Sequence, residues 1–529
     1  MVSLVNYLAF LASALLHAGR LGLIDFVKAH PWWTLSLLWP VSFAIHRLVI
    51  FVPRWRIARH LPSPGLTSWT SALLSPFIGH VVELVEGSDA GLLYLEEKAT
   101  TMRAAGHQLM TLRLFDRIVT IPLSGSAMHN LMLSTKELTK GTDYDFVVDW
   151  LGRGLLLCDG TYHKERRRLL NDFFTPDGLV TYEHTMNAKS RDFVLLLMSK
   201  GTSVFDVYSE LKHATLSILL AAIFGYHLDR ENKEDIDYVA SVHGYAALAQ
   251  RFSIEPWMWI RPIWYALYHR HHQKLLKNLK DFSHKIVDAR LAEGDAFEAD
   301  EHPTLLDRLL RLHKAGKLST EAVRDEVDTF MFAGHDTTSC SLGWALWVLA
   351  TVPGTQDQLL EEILCICGDD CEHDVTLEQT KEMKLLDQFI NEVYRLFPTV
   401  PFFERQFLDD FPISINGKPT YTLPQGSETW ISPILVHRNP DIFPDPLRFD
   451  ITRNAEREKG SYNFIPFSAG ARNCLGQRFA VMEEKIILAH IIRNFVVASE
   501  GELHSLRLKP EIVLNPVGGF PLSFTPRPP

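Results

Sequence analysis

One cysteine in the sequence sits where few side chains have room. In "NFIPFSAGARNCLGQRF", Asn463–Phe479, Cys474 lies among Gly470, Arg472 and Gly476, ahead of an apolar run with helical spacing. A cysteine so placed can be a small core residue, a nucleophile or a metal ligand. If it opens a helix, the dipole and the unpaired N–H groups favour its thiolate. Gly470 and Gly476 would let backbone approach a flat ligand, Arg472 offers a fork for a carboxylate, and Phe467 can shield the sulfur from water. No protease-type cysteine signature surrounds it. Thiolate, close backbone, carboxylate clamp and apolar cover together describe one face of a haem.

A second group lies in "FMFAGHDTTSCSLGW", Phe330–Trp344, an apolar helical stretch. Asp336 can relay protons from solvent, Thr337 can donate to dioxygen, and Gly334 removes bulk beside them. The bland alternative is that Thr337 and Thr338 bond back to the preceding turn. His335 reads as a packing or hydrogen-bonding residue. Glu392 and Arg395 share one helix face by their i, i+3 spacing, although Glu-x-x-Arg alone says little on any surface helix. "CICGDDCEHD", Cys365–Asp374, has metal-like spacing but falls in a polar loop between helices. "YHRHH", Tyr268–His272, reads as basic surface.

Phe467-x-x-Gly470-x-Arg472-x-Cys474-x-Gly476 resembles the haem-binding signature of the cytochrome P-450 monooxygenases, and Ala333-Gly334-x-Asp336-Thr337-Thr338 resembles their oxygen-activation motif. The resemblance implies haem b as cofactor, Cys474 as the axial ligand of its iron, and Asp336 and Thr337 as catalytic residues. Pro446-x-Arg448-Phe449 resembles the family's partner to Glu-x-x-Arg, which implies a buried network of Glu392, Arg395 and Arg448. The family usually places Trp-x-x-x-Arg on a haem propionate. The match is His163-x-x-x-Arg167, where an imidazole can still donate but carries a pH-dependent charge. Arg405 occupies the position of another propionate-binding arginine.

Within the superfamily the motifs look most like the family-four, fatty-acid ω-hydroxylase branch. Many of its members carry a glutamate where this chain has Ala333, so the haem is expected to be non-covalent. The implied reaction is R–H + O2 + two electrons + two protons giving R–OH + H2O, on a long-chain fatty acid or related lipid. Sterols, terpenoids and xenobiotics are the alternative substrates. No flavin or nicotinamide fingerprint is present, so electrons are expected from a separate NADPH-dependent flavin reductase, with cytochrome b5 as a second donor. A basic face including some of Arg166–Arg168 would dock it; a solvated helix face is the plainer use of those arginines. A haem-thiolate isomerase or dehydratase and a haem gas-binding protein are the rivals. The Asp336–Thr337 pair counts against both.

The elements that must position these residues are mainly α with minor β. Helical periodicity marks Thr320–Val352, Gln356–Cys367, Leu377–Phe397 and Leu475–Phe495. Leu109–Leu123 and Ile413–Pro433 read as strands, with a hairpin turn at Asn416-Gly417. The resemblance implies the cytochrome P-450 fold, a helical bundle around haem plus small antiparallel sheets. At 529 residues and 47% hydrophobic content the chain can fill a large core. A net charge of −10 with no long basic run argues against nucleic acid as the main partner. Six cysteines in such a length suggest a reducing compartment.

The N-terminus is different. Residues 1–16 are apolar, and 31–52 are long enough to span a bilayer, with Trp32, Trp33 and Trp39 suited to its interface. Arg54, Arg56 and Arg59 follow, then a proline hinge. The expected organisation is an anchor over 1–52, a basic hinge over 53–65 and a haem-thiolate catalytic domain over 66–529. That places the protein in the endoplasmic reticulum membrane, catalytic domain toward the cytosol, in contact with membrane lipid. A cleaved signal peptide is disfavoured because no positive charge precedes the first apolar run; two buried core helices are the other alternative. Glu255–Tyr268 is aromatic enough to dip into the lipid interface or to pack in the core.

Overall fold

A computed structural model describes residues 58–64, 79–80, 84 and 90–528, apart from 115–116, 135–137, 229–231, 256–257, 259–260, 294–302, 416–417 and 454–461. The expected anchor, residues 53–57 and 65 of the hinge, and the Asn416-Gly417 turn lie outside the described residues. Among the described residues no helix is long and apolar enough to cross a membrane.

Seven helices carry or support the site: α1 Gly125–Leu133, α2 Gly160–Leu170, α3 Tyr208–Phe224, α4 Lys233–Ile254, α5 Thr320–Thr351, α6 Lys384–Leu396 and α7 Gln477–Asn494. The 32-residue α5 begins where Ser319 Oγ accepts the Ala322 N–H at 3.1 Å, with Glu321 in its first turn. From Thr338 to Leu349 every residue is buried, so α5 threads the middle of the molecule. There Trp344 stacks on Phe397 at 4.2 Å, meets Phe520 edge-on at 5.0 Å and donates its indole N–H to the Leu514 carbonyl at 2.7 Å.

The helix expected over Leu377–Phe397 is two pieces, Leu377–Glu382 and α6, divided at the non-helical Met383. The Glu362 carboxylate, from a neighbouring helix, accepts the Leu385 and Leu386 N–H groups at 2.6 and 2.9 Å. A tertiary cap therefore starts α6 where local pattern alone shows one run.

The largest sheet has the order β1-β2-β5-β4-β3, from β1 Leu109–Leu114, β2 Arg117–Pro122, β3 Leu138–Lys140, β4 Phe403–Phe407 and β5 Glu428–Ile431. Its pairings are antiparallel except β2 with β5, which run parallel through Val119↔Glu428 and Thr120↔Thr429. Smaller antiparallel sheets pair Phe411–Ile415 with Lys418–Leu423, and Pro521–Pro526 with both Phe205–Asp206 and Phe495–Ala498. Strand alternation matters most on β4, where Glu404 and Arg405 face opposite ways.

Candidate active site

Cys474 lies on a tight loop before α7. Ser468 at φ +60° and Gly470 at φ +71° take left-handed backbone, and the Cys474 N–H donates to the Phe467 carbonyl at 2.9 Å. A Cβ on Gly470 would overlap the Met132 carbonyl oxygen of α1. Gly470 therefore lies against a helix, in a contact that only a residue without a side chain allows. Gly476 has more room, with the Phe174 ring 3.9 Å from a built Cβ. Because α7 starts at Gln477, the sulfur sits just outside the helix. Burial pushes the thiol up, opposed by the Gly476 N–H, the Arg167 charge and the Gln477 N–H. Phe467 meets Tyr394 edge-on at 5.1 Å.

Cys474 is exposed, yet the protein around it desolvates its thiol. Exposure and desolvation together imply a hollow inside the fold at this residue. The long helix shows the same property: Ala333 is exposed and Thr337 half-exposed, while His335, Asp336 and Thr338 beside them are buried. Phe174 bridges the two sides, stacking on Phe330 of α5 at 5.7 Å and approaching Gly476 of the cysteine loop.

Cations gather around Arg472. Its guanidinium donates to the Cys158 carbonyl at 2.6 Å and pairs with Asp159. Arg167 on α2 reaches the other way, donating to the Asn473 carbonyl at 2.7 Å and to Asn473 Oδ1 at 2.5 Å, and so holds the residue before Cys474. Lys140 stands opposite Arg405 in the β3–β4 register. Desolvation, then Arg405 and Arg472, push the Lys140 ammonium well below its ordinary range, with Asp159 opposing. Desolvation, with Arg472 and Arg167, pushes His163 down to about 4. The expected pH-dependent charge on His163 therefore gives way to a neutral ring at ordinary pH. Lys140, Arg167, Arg405 and Arg472 against the one Asp159 carboxylate leave an excess of positive charge that suits a dianion. With a sulfur facing an internal hollow, these residues fit haem and its two propionates.

The acid and alcohol of α5 look in different directions. Asp336 is buried and pairs with Lys212 of α3, Nζ to Oδ1 3.3 Å, a charge contact without hydrogen-bond alignment. Desolvation alone would raise its carboxyl, but Lys212 and the nearby His335 and His243 outweigh it and hold it below the usual range. Thr337 donates to the Ala333 carbonyl at 2.9 Å and Thr338 to the Gly334 carbonyl at 3.2 Å, the back-bonding alternative in both cases. A Cβ on Gly334 would come 2.6 Å from Leu219 Cδ1. The glycine thus admits the close approach of α3. His335 bonds to the Met331 carbonyl at 2.7 Å within the helix.

Glu392 and Arg395 form a two-point pair at 2.7 and 2.8 Å with no exposure at either side chain. The expected third member, Arg448, is misplaced. Its side chain is 69% exposed, and only its carbonyl accepts from Arg395, at 3.1 Å. Asp445 takes φ +48°, and the turn built on it directs the Arg448 backbone inward. Arg453 completes the network instead, its Nε 3.3 Å from Glu392 Oε1.

Of the arginine run, Arg166 is buried, with Tyr162 Oη 2.5 Å away and Glu326 at 3.9 Å, while Arg168 is exposed. Arg168 borders a recess of about 470 Å³ with His163, Lys164, Arg167, Ala471 and Arg472. Among the described residues no three metal-ligating side chains gather, and Cys365, Cys367 and Cys371 are free. Lys140, Asp159, Lys212 and Arg453 were not singled out by their spacing. Each acquires its place only through pairing with a distant segment.

The cytochrome P450 family profile matches residues 74–522. The rat protein named Cytochrome P450 4V2 is 32% identical over 500 residues, covering 90% of this chain and 91% of its own. Cytochrome P450 4c3 of Drosophila melanogaster is 31% identical over 422 residues, covering 75% and 78%. Among solved structures, the crystal structure of the cytochrome P450DA heme domain superposes with a TM-score of 0.73 at 21% identity, covering 88% of this chain and 98% of that one.

Proposed function

The chain belongs to the cytochrome P450 family, in its family-four branch, and from that premise we propose that it is a membrane-anchored hydroxylase of long-chain fatty acids or related lipids. It is a monooxygenase with haem b as its cofactor. The observation that carries the reading is the Cys474 sulfur facing an internal hollow, beside a group of cations short of carboxylates.

Bound there, haem supplies the activation of dioxygen that places one oxygen atom in a C–H bond. Cys474 would supply the thiolate that holds its iron, and Phe467 would cover the sulfur. Arg405, Arg472 and Lys140 would meet the propionates, with Arg167 and His163 bordering them. Arg167 also fixes the Asn473 carbonyl, so it sets the approach of the sulfur. Asp336 takes up protons and Thr337 presents them toward the hollow. Both must leave the partners described above, Lys212 and the Ala333 carbonyl, to do so. Ala333 offers no carboxylate for an ester, so the haem is held without a covalent bond.

Electrons come from an NADPH-dependent flavin reductase, with cytochrome b5 as a second donor. The recess bordered by Lys164, Arg167 and Arg168 is the docking face for their acidic surfaces. Substrate enters from the endoplasmic reticulum membrane, with the catalytic domain toward the cytosol. Arg261–Leu267, none of whose residues is buried and whose Tyr265 and Leu267 are over 60% exposed, supports a lipid-facing entrance.

The test is turnover of the full chain with reductase and NADPH on a panel of fatty acids, sterols and terpenoids, with products identified. Hydroxylated fatty acid formed in proportion to NADPH is the expected result. Product from sterols or terpenoids alone would overturn the substrate class, and turnover without NADPH or oxygen would overturn the hydroxylase reading.

A further inference from the structure

Arg117 on β2 is the hub of a buried charge cluster that the proposed chemistry leaves unused. Each of its nitrogens meets a different carboxylate: Nε with Glu428 at 2.6 Å, one terminal nitrogen with Glu404 at 2.6 Å, the other with Asp143 at 2.8 Å. The carboxylates come from three segments, β5, β4 and the turn after β3. The Arg117, Glu404 and Glu428 side chains are 12%, 4% and 2% exposed, so solvent screens them little. The turn is pinned further. Thr142 donates to Glu428 Oε1 through its N–H at 3.2 Å and its hydroxyl at 2.7 Å, and the Asp143 N–H donates to Glu404 Oε2 at 3.0 Å. A Cβ on Gly141 would overlap the Glu404 carboxyl, so the turn presses directly on it.

Because Glu404 turns toward Arg117, its neighbour Arg405 turns to the other face of β4. There it stands in register with Lys140, the last residue before the pinned turn. Like charges opposite each other on paired strands repel, and β3 is only three residues long. Such a strand would relieve the repulsion by fraying unless its end were fixed. The cluster fixes both sides, β4 through Glu404 and β3 through Gly141–Asp143. A guanidinium serves three carboxylates from three nitrogens in one plane, a spread that an ammonium, donating from a single nitrogen on a flexible stem, does not reproduce.

We propose that Arg117 is a positioning residue for haem retention: through Asp143, Glu404 and Glu428 it holds Lys140 and Arg405 side by side, facing the propionates. This rests on the assignment of Lys140 and Arg405 to that edge of the haem, and the test separates the two.

The holoenzyme is followed for haem transfer to excess apomyoglobin, for haem reduction potential and for thermal unfolding. Arg405→Gln examines the assignment, and transfer should become about ten- to a hundredfold faster. Arg117→Lys keeps the charge and loses the fork. It should speed transfer about tenfold and lower the reduction potential in the same direction as Arg405→Gln. The double variant should fall well short of the product of the single effects, because both act through one contact. Fast transfer in Arg405→Gln with unchanged transfer in Arg117→Lys overturns the positioning role and leaves the assignment standing. A fully multiplicative double variant, or an unmoved potential in Arg117→Lys, also overturns it. Unchanged transfer in Arg405→Gln overturns the assignment. If Arg117→Lys does not fold, Arg117→Gln/Glu404→Gln, which removes one charge of each sign, takes its place with the same expectations.

Discussion

Asp336 and Lys212 face each other across two packed helices, Nζ to Oδ1 3.3 Å, with side chains only 9% and 5% exposed. The Lys212 ammonium also lies 2.9 Å from His243 Nδ1 and 4.0 Å above the Tyr208 ring. The residue expected to move protons is therefore an ionised carboxylate with a buried counter-charge.

Lys212→Met should leave that carboxylate buried and uncompensated, costing about 3–5 kcal/mol of stability. Lys212→Met combined with Asp336→Asn should recover most of the loss. A chemical-denaturation cycle on the four proteins measures the coupling. A coupling near zero would mean that the pair is not formed in solution.

The Glu392 network makes opposite expectations for two arginines close in sequence. Arg448→Ala removes an exposed side chain and should change stability by less than about 0.5 kcal/mol. Arg453→Ala removes a charged hydrogen bond to a wholly buried carboxylate and should cost about 1.5–3 kcal/mol. Thermal unfolding of the two variants, side by side, decides which arginine completes the network.

Gly470→Ala should fail in two ways at once, by forcing a side chain onto φ +71° and onto the Met132 carbonyl. Left-handed backbone alone costs on the order of 1–3 kcal/mol. Poor haem loading, read as the ratio of haem to protein absorbance, is the expected result. Full loading would mean that the loop can leave α1 without consequence.

Glu484 is buried on α7, where Tyr394 Oη donates to its Oε1 at 2.9 Å, and desolvation pushes its carboxyl up to about 8. Its folded value lies above the unfolded value of about 4.3, so its contribution is fully present below pH 4.3 and lost as pH rises to 8. Stability should fall by about 1.4 kcal/mol per pH unit from this group across that window. Glu484→Gln should flatten the pH dependence of unfolding between pH 5 and 8. An unchanged slope would show that Glu484 ionises freely in the folded chain.

What could be read in advance was local. The Cys474 loop, the run of α5 and the Glu392–Arg395 face each lie within a few helical turns, where spacing alone decides which side chains meet. Gly334 and Gly470 were legible as places of close approach, but a glycine does not say what approaches. In both cases a helix does, α3 and α1 respectively. Lys140, Lys212, Arg117 and Arg453 were invisible because each meets its partners only after distant segments pack. Arg448 shows the converse: a well-spaced motif residue whose backbone, turned by Asp445, does the work expected of its side chain.

The back-to-back placement of Glu404 and Arg405 also bears on how the sheet assembles. A slip of one residue in the pairing of β4 would exchange its faces. The carboxylate would then enter the company of Lys140, and the guanidinium would be thrust beside Arg117. Both errors are penalised together, on opposite sides of one short strand. Alternating charge thus acts as a proof-reading code for strand register, rejecting misaligned intermediates during folding, before any ligand is present to select the correct one.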